Sequence, residues 1–123
     1  MLGYVTIGVS DMPKSEAFYN ALLAELGAKQ LVGMDRIKFY GSEAGGAMFS
    51  ICIPFNKEDP EPGNGTMAAF SGGDQDGVKA LYQKAIELGA TCDGEPGQRT
   101  DFFYGAYVRD FDGNKICFYE MNL

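Results

Sequence analysis

The apolar positions change period along the chain, and the changes mark out its elements. Residues 4–9 (YVTIGV) alternate, with Val5, Ile7 and Val9 on one face and Tyr4, Thr6 and Gly8 on the other, as in a β-strand. Ser10-Asp11-Met12-Pro13 then supplies a capping oxygen and a proline that a first helical turn accepts. The spacing predicts a helix from there to about Leu26. It would bury Phe18, Leu22 and Leu26, flanked by Ser15 and Tyr19, and stop at Gly27. Three strands follow, at about Lys29–Gly33, Arg36–Tyr40 and Ala47–Pro54, separated by a turn at Asp35 and a loop over residues 41–46. Residues 56–65 (NKEDPEPGNG) are polar and rich in Pro and Gly, which reads as a linker between halves or a rim loop.

The pattern then restarts. Thr66–Phe70 reads as a strand, and Asp74 or Asp76 caps a helix whose apolar stripe is Val78, Leu81, Tyr82, Ala85 and Leu88. Strands are expected at about Thr91–Gly94, Phe102–Arg109 and Lys115–Met121. The last two flank Asp110-Phe111-Asp112-Gly113-Asn114, a hairpin loop in which Gly113 is free to take a positive φ. Along the final strand Ile116 and Phe118 point one way, Cys117 and Tyr119 the other. Ala17-Phe18-Tyr19 recurs as Ala80-Leu81-Tyr82, and Leu26-Gly27-Ala28 as Leu88-Gly89-Ala90, at nearly one offset and within the same strand order. This is an internal duplication of a strand–helix–three-strand module, spanning about 1–55 and about 66–123.

Composition narrows the chemistry. The 123 residues suffice for one domain, or for two small similar modules, without disulfide staples. A net charge of −7 argues against a general nucleic-acid binder and against an anionic-membrane binder. The first ten residues lack the basic start of a secretory signal, and no stretch is apolar enough to span a bilayer. Cys52, Cys92 and Cys117 form no CxxC pair, which suits reduced thiols in a cytoplasmic protein. There is no histidine, so Ser-His-Asp and Cys-His arrangements cannot be assembled, and the commonest neutral metal ligand is missing. Cys117 as a nucleophile would need a nearby cation, for which Arg109 across the hairpin is the candidate.

Three stretches, YVTIGVSDMPKSEAFYNALLAELGA, PGNGTMAAF and YVRDFDGNKICFYE, together resemble the vicinal oxygen chelate superfamily of glyoxalase I, bleomycin-resistance proteins and extradiol dioxygenases. The resemblance implies an α+β fold of two tandem βαβββ modules forming an open cup-shaped mixed sheet, with helices on its outer face. It also implies a homodimer, and in catalytic members a divalent metal held by two His and one Glu. Carried over by position, those ligands fall on Tyr4, Met67 and Cys117, a poor set for a hard or borderline cation. Phe111 also stands where the family usually has Pro.

The chain is therefore expected to be a metal-independent small-molecule binding protein without cofactor or catalytic residue. Its aromatic cup would take an organic guest, aromatic or cationic. Tyr4, Met67, Phe103, Tyr107, Arg109, Cys117 and Tyr119 are the candidate ligand-binding residues, with Phe102-Phe103-Tyr104 near the mouth and Arg99 and Arg109 as charged anchors. Two alternatives stand beside this. One is a metal-dependent lyase or dioxygenase with displaced ligands such as Glu120 or Asp101, although Glu120 should face away from Cys117. The other is a degenerate member acting through dimerisation or partner contact, with no small ligand.

Overall fold

The computed structural model describes all 123 residues, and each half of the chain builds the same unit. The first, Met1–Pro62, contains β1 (Tyr4–Gly8), α1 (Met12–Ala24), β2 (Lys29–Gly33), β3 (Ile37–Gly41) and β4 (Met48–Cys52). The second, Gly63–Leu123, contains β5 (Ala68–Ser71), α2 (Gln75–Glu87), β6 (Thr91–Thr100), β7 (Phe103–Arg109) and β8 (Lys115–Met121). The sheet orders are β1-β4-β3-β2 and β5-β8-β7-β6. In each, the unit's first strand pairs parallel with its last and the other pairings are antiparallel. The architecture is α+β with two tandem βαβββ modules, and the duplication read from the sequence extends to the full strand order.

The repeated Leu-Gly-Ala words have a shared job. After α1, Gly27 takes φ +71; its N–H donates to Ala24 O at 3.0 Å and that of Ala28 donates to Leu23 O at 3.1 Å. After α2, Gly89 takes φ +108, with Gly89 N–H to Ile86 O and Ala90 N–H to Ala85 O, both at 3.0 Å. Both are Schellman closures, in which a residue without Cβ turns the chain left-handed and satisfies the last carbonyls. The starts match as well. The carboxylate of Asp11 accepts from Lys14 N–H at 3.1 Å, and that of Asp74 from Gly77 N–H at 2.7 Å, so Asp74 and not Asp76 is the second cap.

Each helix covers one face of its own sheet. Phe18, Tyr19, Leu22 and Leu23 are buried with Ile7, Tyr40, Phe49 and Ile51 in the first unit, where the Tyr19 and Phe49 rings lie 5.2 Å apart. Val78, Leu81 and Ala85 are buried with Ala106, Val108, Ile116 and Phe118 in the second.

Several expectations need correction. Leu26 is 37% exposed because α1 ends at Ala24 and Leu26 belongs to its closing turn; Met12 and Leu23 join the buried stripe instead. The sixth strand does not stop at Gly94 but runs to Thr100, past Pro96, with register shifts that absorb the irregular residues. Of the stretch read as a linker or a rim loop, Asn56–Pro62 groups with the first unit, with Glu58 N–H bonded to Asn56 Oδ1 at 3.0 Å. Pro60 then lies so close to Gly8 that a Cβ there would meet the Pro60 Cβ at 2.8 Å. No helix is long and apolar enough to cross a membrane.

Candidate functional site

Alternation on the β7–β8 hairpin divides its side chains into two sets. Tyr104, Ala106 and Val108 pair with Glu120, Phe118 and Ile116 on the face covered by α2. Phe103, Tyr107 and Arg109 pair with Met121, Cys117 and Lys115 on the opposite, open face, which also carries Tyr119. Tyr104 is therefore buried against the helix and is not beside a mouth with Phe102 and Phe103.

The hairpin loop that holds this register is built around a buried carboxylate. Asp110 Oδ1 accepts from the Asp112 and Asn114 N–H groups, both at 2.9 Å, and Oδ2 accepts from Asn114 Nδ2 at 3.0 Å. Asp110 N–H donates to Asn114 O at 3.0 Å, and Gly113 closes the loop at φ +82. The Asp-x-Asp-Gly-Asn word is thus a polar knot centred on the Asp110 carboxylate at the end of two core strands, with Asp112 Oδ2 the one buried polar side-chain atom left without a hydrogen bond.

On the open face, the Phe103 and Tyr119 rings stack at 5.7 Å with 9° between their planes. Tyr107 is half-buried, with the Lys115 ammonium 4.9 Å and the Arg99 guanidinium 5.4 Å from its ring centroid. Arg109 pairs with Asp93 at 2.9 Å and donates to Gly113 O at 3.0 Å, so it braces the hairpin. Lys115 reaches the same Asp93 at 3.6 Å. Arg99 bonds the carbonyl of Glu95 and has no carboxylate within ion-pair distance.

Of the sequence candidates, Phe103, Tyr107, Arg109, Cys117 and Tyr119 share this face. Met67 lies just before β5 and is 43% exposed. Tyr4 belongs to the first unit, where it is 54% exposed and meets Phe39 edge-on at 5.0 Å. Cys117 has no exposed surface, so it floors the face without being open to a guest. Burial pushes its thiol up to about 11, against the opposing pull of Lys115 and Arg99. That removes the activated nucleophile considered from the sequence, because the thiolate is the reactive form.

The same facts test the metal that the family implies. A thioether at Met67, an outlying phenol at Tyr4 and a thiol held protonated at Cys117 do not fit a divalent cation. Nowhere do three His, Cys, Asp or Glu side chains converge in a manner that would hold an ion. Glu120 sits on the α2 side and bonds Asn122, and Asp101 is exposed, so neither replaces the missing ligands.

Sequence reasoning missed two features. Arg99 was named only as an anchor, without its seat beside Tyr107. The second is a cavity of about 640 Å³ in the first unit, where the folded-back 54–61 segment meets Thr6, Gly8 and Cys52, with Glu58, Asp59 and Glu61 among its walls. The glycine at position 8, directly after the β-branched run Val5-Thr6-Ile7, is its one signal. Burial raises the Cys52 thiol, with Arg36 pulling the other way.

A family model described as the Glyoxalase/Bleomycin resistance protein/Dioxygenase superfamily matches residues 1–118. A solved glyoxalase/bleomycin resistance protein from Albidiferax ferrireducens is similar at 36% identity and TM-score 0.87, with 99% of each chain covered. The fold is shared with a putative glyoxalase from Bacillus halodurans (24% identity, TM-score 0.79, covering 97% of this chain and 94% of that one). It is shared too with a glyoxalase-related enzyme from Fulvimarina pelagi (18% identity, TM-score 0.79, covering 97% and 86%). No curated protein matches the chain significantly. The paired modules, the Asp-Gly-Asn hairpin and the end-to-end likeness lead to one conclusion: this chain belongs to the glyoxalase/bleomycin resistance/dioxygenase superfamily.

Proposed function

We propose that the chain is a metal-independent binding protein that takes a small aromatic molecule on the open face of the second unit's sheet. The observation that carries this reading is the grouping of Phe103, Tyr107 and Tyr119 on one side of β7–β8. Three aromatic rings there serve no part of the α2 core, and Cys117 beneath them is chemically quiet. An apolar floor, ring walls and a few polar tips suit a planar guest. Nothing on this face supplies a general base or a metal ligand set, which favours binding over catalysis. The chain is read as working as a homodimer in the cytoplasm, with no nucleic-acid or membrane partner, in keeping with its net charge of −7.

The test is calorimetric titration of tag-free protein with naphthalenemethanol, before and after treatment with EDTA. Affinity unchanged by EDTA and weakened about tenfold by Tyr107→Leu is expected, from the loss of one stacking partner. Binding that requires an added divalent ion, or that ignores Tyr107, would overturn the reading.

A further inference from the structure

On a chain with 17 acidic and 10 basic side chains, the open face of the second sheet has the opposite balance. Arg99, Arg109 and Lys115 converge there, and Asp93 is the one carboxylate that pairs with any of them. Glu95 meets Arg99 through its backbone carbonyl, and no carboxylate lies within ion-pair distance of Arg99. The face therefore carries three cations against one anion.

Arg99 is held in place by the backbone. A Cβ at Gly97 would lie 2.7 Å from Arg99 Nη1, and one at Gly94 would lie 3.2 Å from Nη2. Two glycines in one strand thus leave room for the guanidinium beside Tyr107. A guanidinium presents five donors in a fixed fork suited to a carboxylate. One carbonyl cannot use that fork.

The Tyr107 ring is also already engaged by two cations. A cationic guest beside that ring would meet a net positive field. An anionic guest would meet both an attractive field and an open donor set, beside rings suited to a planar body.

We infer that the guest of this face is a planar aromatic anion, its ring against Tyr107 and the Phe103–Tyr119 stack and its carboxylate on the Arg99 guanidinium. This rests on the aromatic-binder reading above and goes beyond it by fixing the charge, against the sequence-based option of a cationic guest.

The experiment titrates the full chain with naphthoate, naphthalenemethanol and naphthylmethylammonium, at low and at high salt, for the wild type and for Arg99→Gln. Naphthoate should bind about tenfold tighter than the alcohol, as a charge-assisted hydrogen bond provides, and the preference should shrink at high salt. Arg99→Gln should erase the preference. Equal or tighter binding of the ammonium, or a carboxylate preference that survives Arg99→Gln, would overturn the inference. If the alcohol and the ammonium bind through Tyr107 but naphthoate is not favoured, the aromatic-binder reading stands and the charge assignment falls. If none of the three binds, both fall.

Discussion

Gly77 gives a test in which propensity and packing predict opposite signs. It is the third residue of α2, where replacing Gly by Ala ordinarily stabilises a helix by about 1 kcal/mol. Here an added Cβ would lie 1.9 Å from the Gly72 carbonyl oxygen and 2.9 Å from its carbon. Gly72 cannot easily retreat, because its N–H is bonded to Tyr119 O on β8 at 2.7 Å. Relief needs roughly an ångström of separation, and the helix start has to move to provide it. That motion breaks the bond from Gly77 N–H to Asp74 and disturbs Val78, which has no exposed surface. A lost cap costs about 1 kcal/mol and backbone overpacking about 1–3 kcal/mol, so the net for Gly77→Ala is a destabilisation of about 2 kcal/mol. Urea unfolding followed by circular dichroism should show the midpoint falling by about 1 M at unchanged slope. Gln75→Ala, in the same turn, serves as the control with almost no shift. A Gly77→Ala protein as stable as the wild type, or more so, would refute the close approach of α2 to the turn after β5.

Two further outcomes follow from the second unit. Asp110→Ala leaves three donors without their acceptor in a buried loop, and should cost about 3 kcal/mol in the same urea assay; a loss below about 1 kcal/mol would mean the knot does not hold the hairpin. Cys117 sets a pH dependence, because its folded thiol titrates near 11 against an ordinary value of 9.0. Between those values the unfolded chain holds fewer protons than the folded one. Stability therefore falls as pH rises through this window, by up to about 1.4 kcal/mol per pH unit from this group. Cys117→Ala lacks that contribution, so its stability should fall less steeply than the wild type's above pH 9.0, and parallel curves would contradict the buried thiol.

Much of the fold was legible because its signals are local. The Asp caps, the Leu-Gly-Ala stops and the Asp-Gly-Asn loop each act over a few residues, and each does in three dimensions what its chemistry suggested. Alternation on β7 and β8 correctly put Cys117 and Tyr119 on one face and turned Glu120 away. The misses came where a partner distant in sequence decides. Leu26 fits a helical stripe, but the closing turn begins before it. Pro96 and two neighbouring glycines argue locally against a strand, yet pairing with β7 carries β6 through them. For residues 56–62, composition left a linker and a rim loop equally open, and the approach of Pro60 to Gly8 is a contact that no local signal announces. The charge balance of the open face was invisible for the same reason. It depends on Asp93 choosing Arg109 and Lys115 and leaving Arg99 aside.

The duplication makes the contrast between the two open sheet faces informative, since strand order and helix placement are the same in both units. In the first, the small pair Thr6 and Ser50 shares a hydroxyl hydrogen bond at 2.6 Å, and a folded-back segment bearing three carboxylates walls a cavity over β1 and β4. In the second, the corresponding strands, β5 and β8, carry Ala69 opposite Cys117 and Ser71 opposite Tyr119, and the neighbouring β7 adds aromatic rings with cations beside them. Stability alone explains neither choice, because each core lies on the other side of its sheet, under α1 or α2. Side chains on a face that the core does not use are free to diverge, and here they have diverged in charge as well as in shape. The family's metal-binding positions lie on such faces. Tyr4, Met67 and a protonated Cys117 at those positions are a poor donor set for a divalent cation, while the duplicated fold around them is kept.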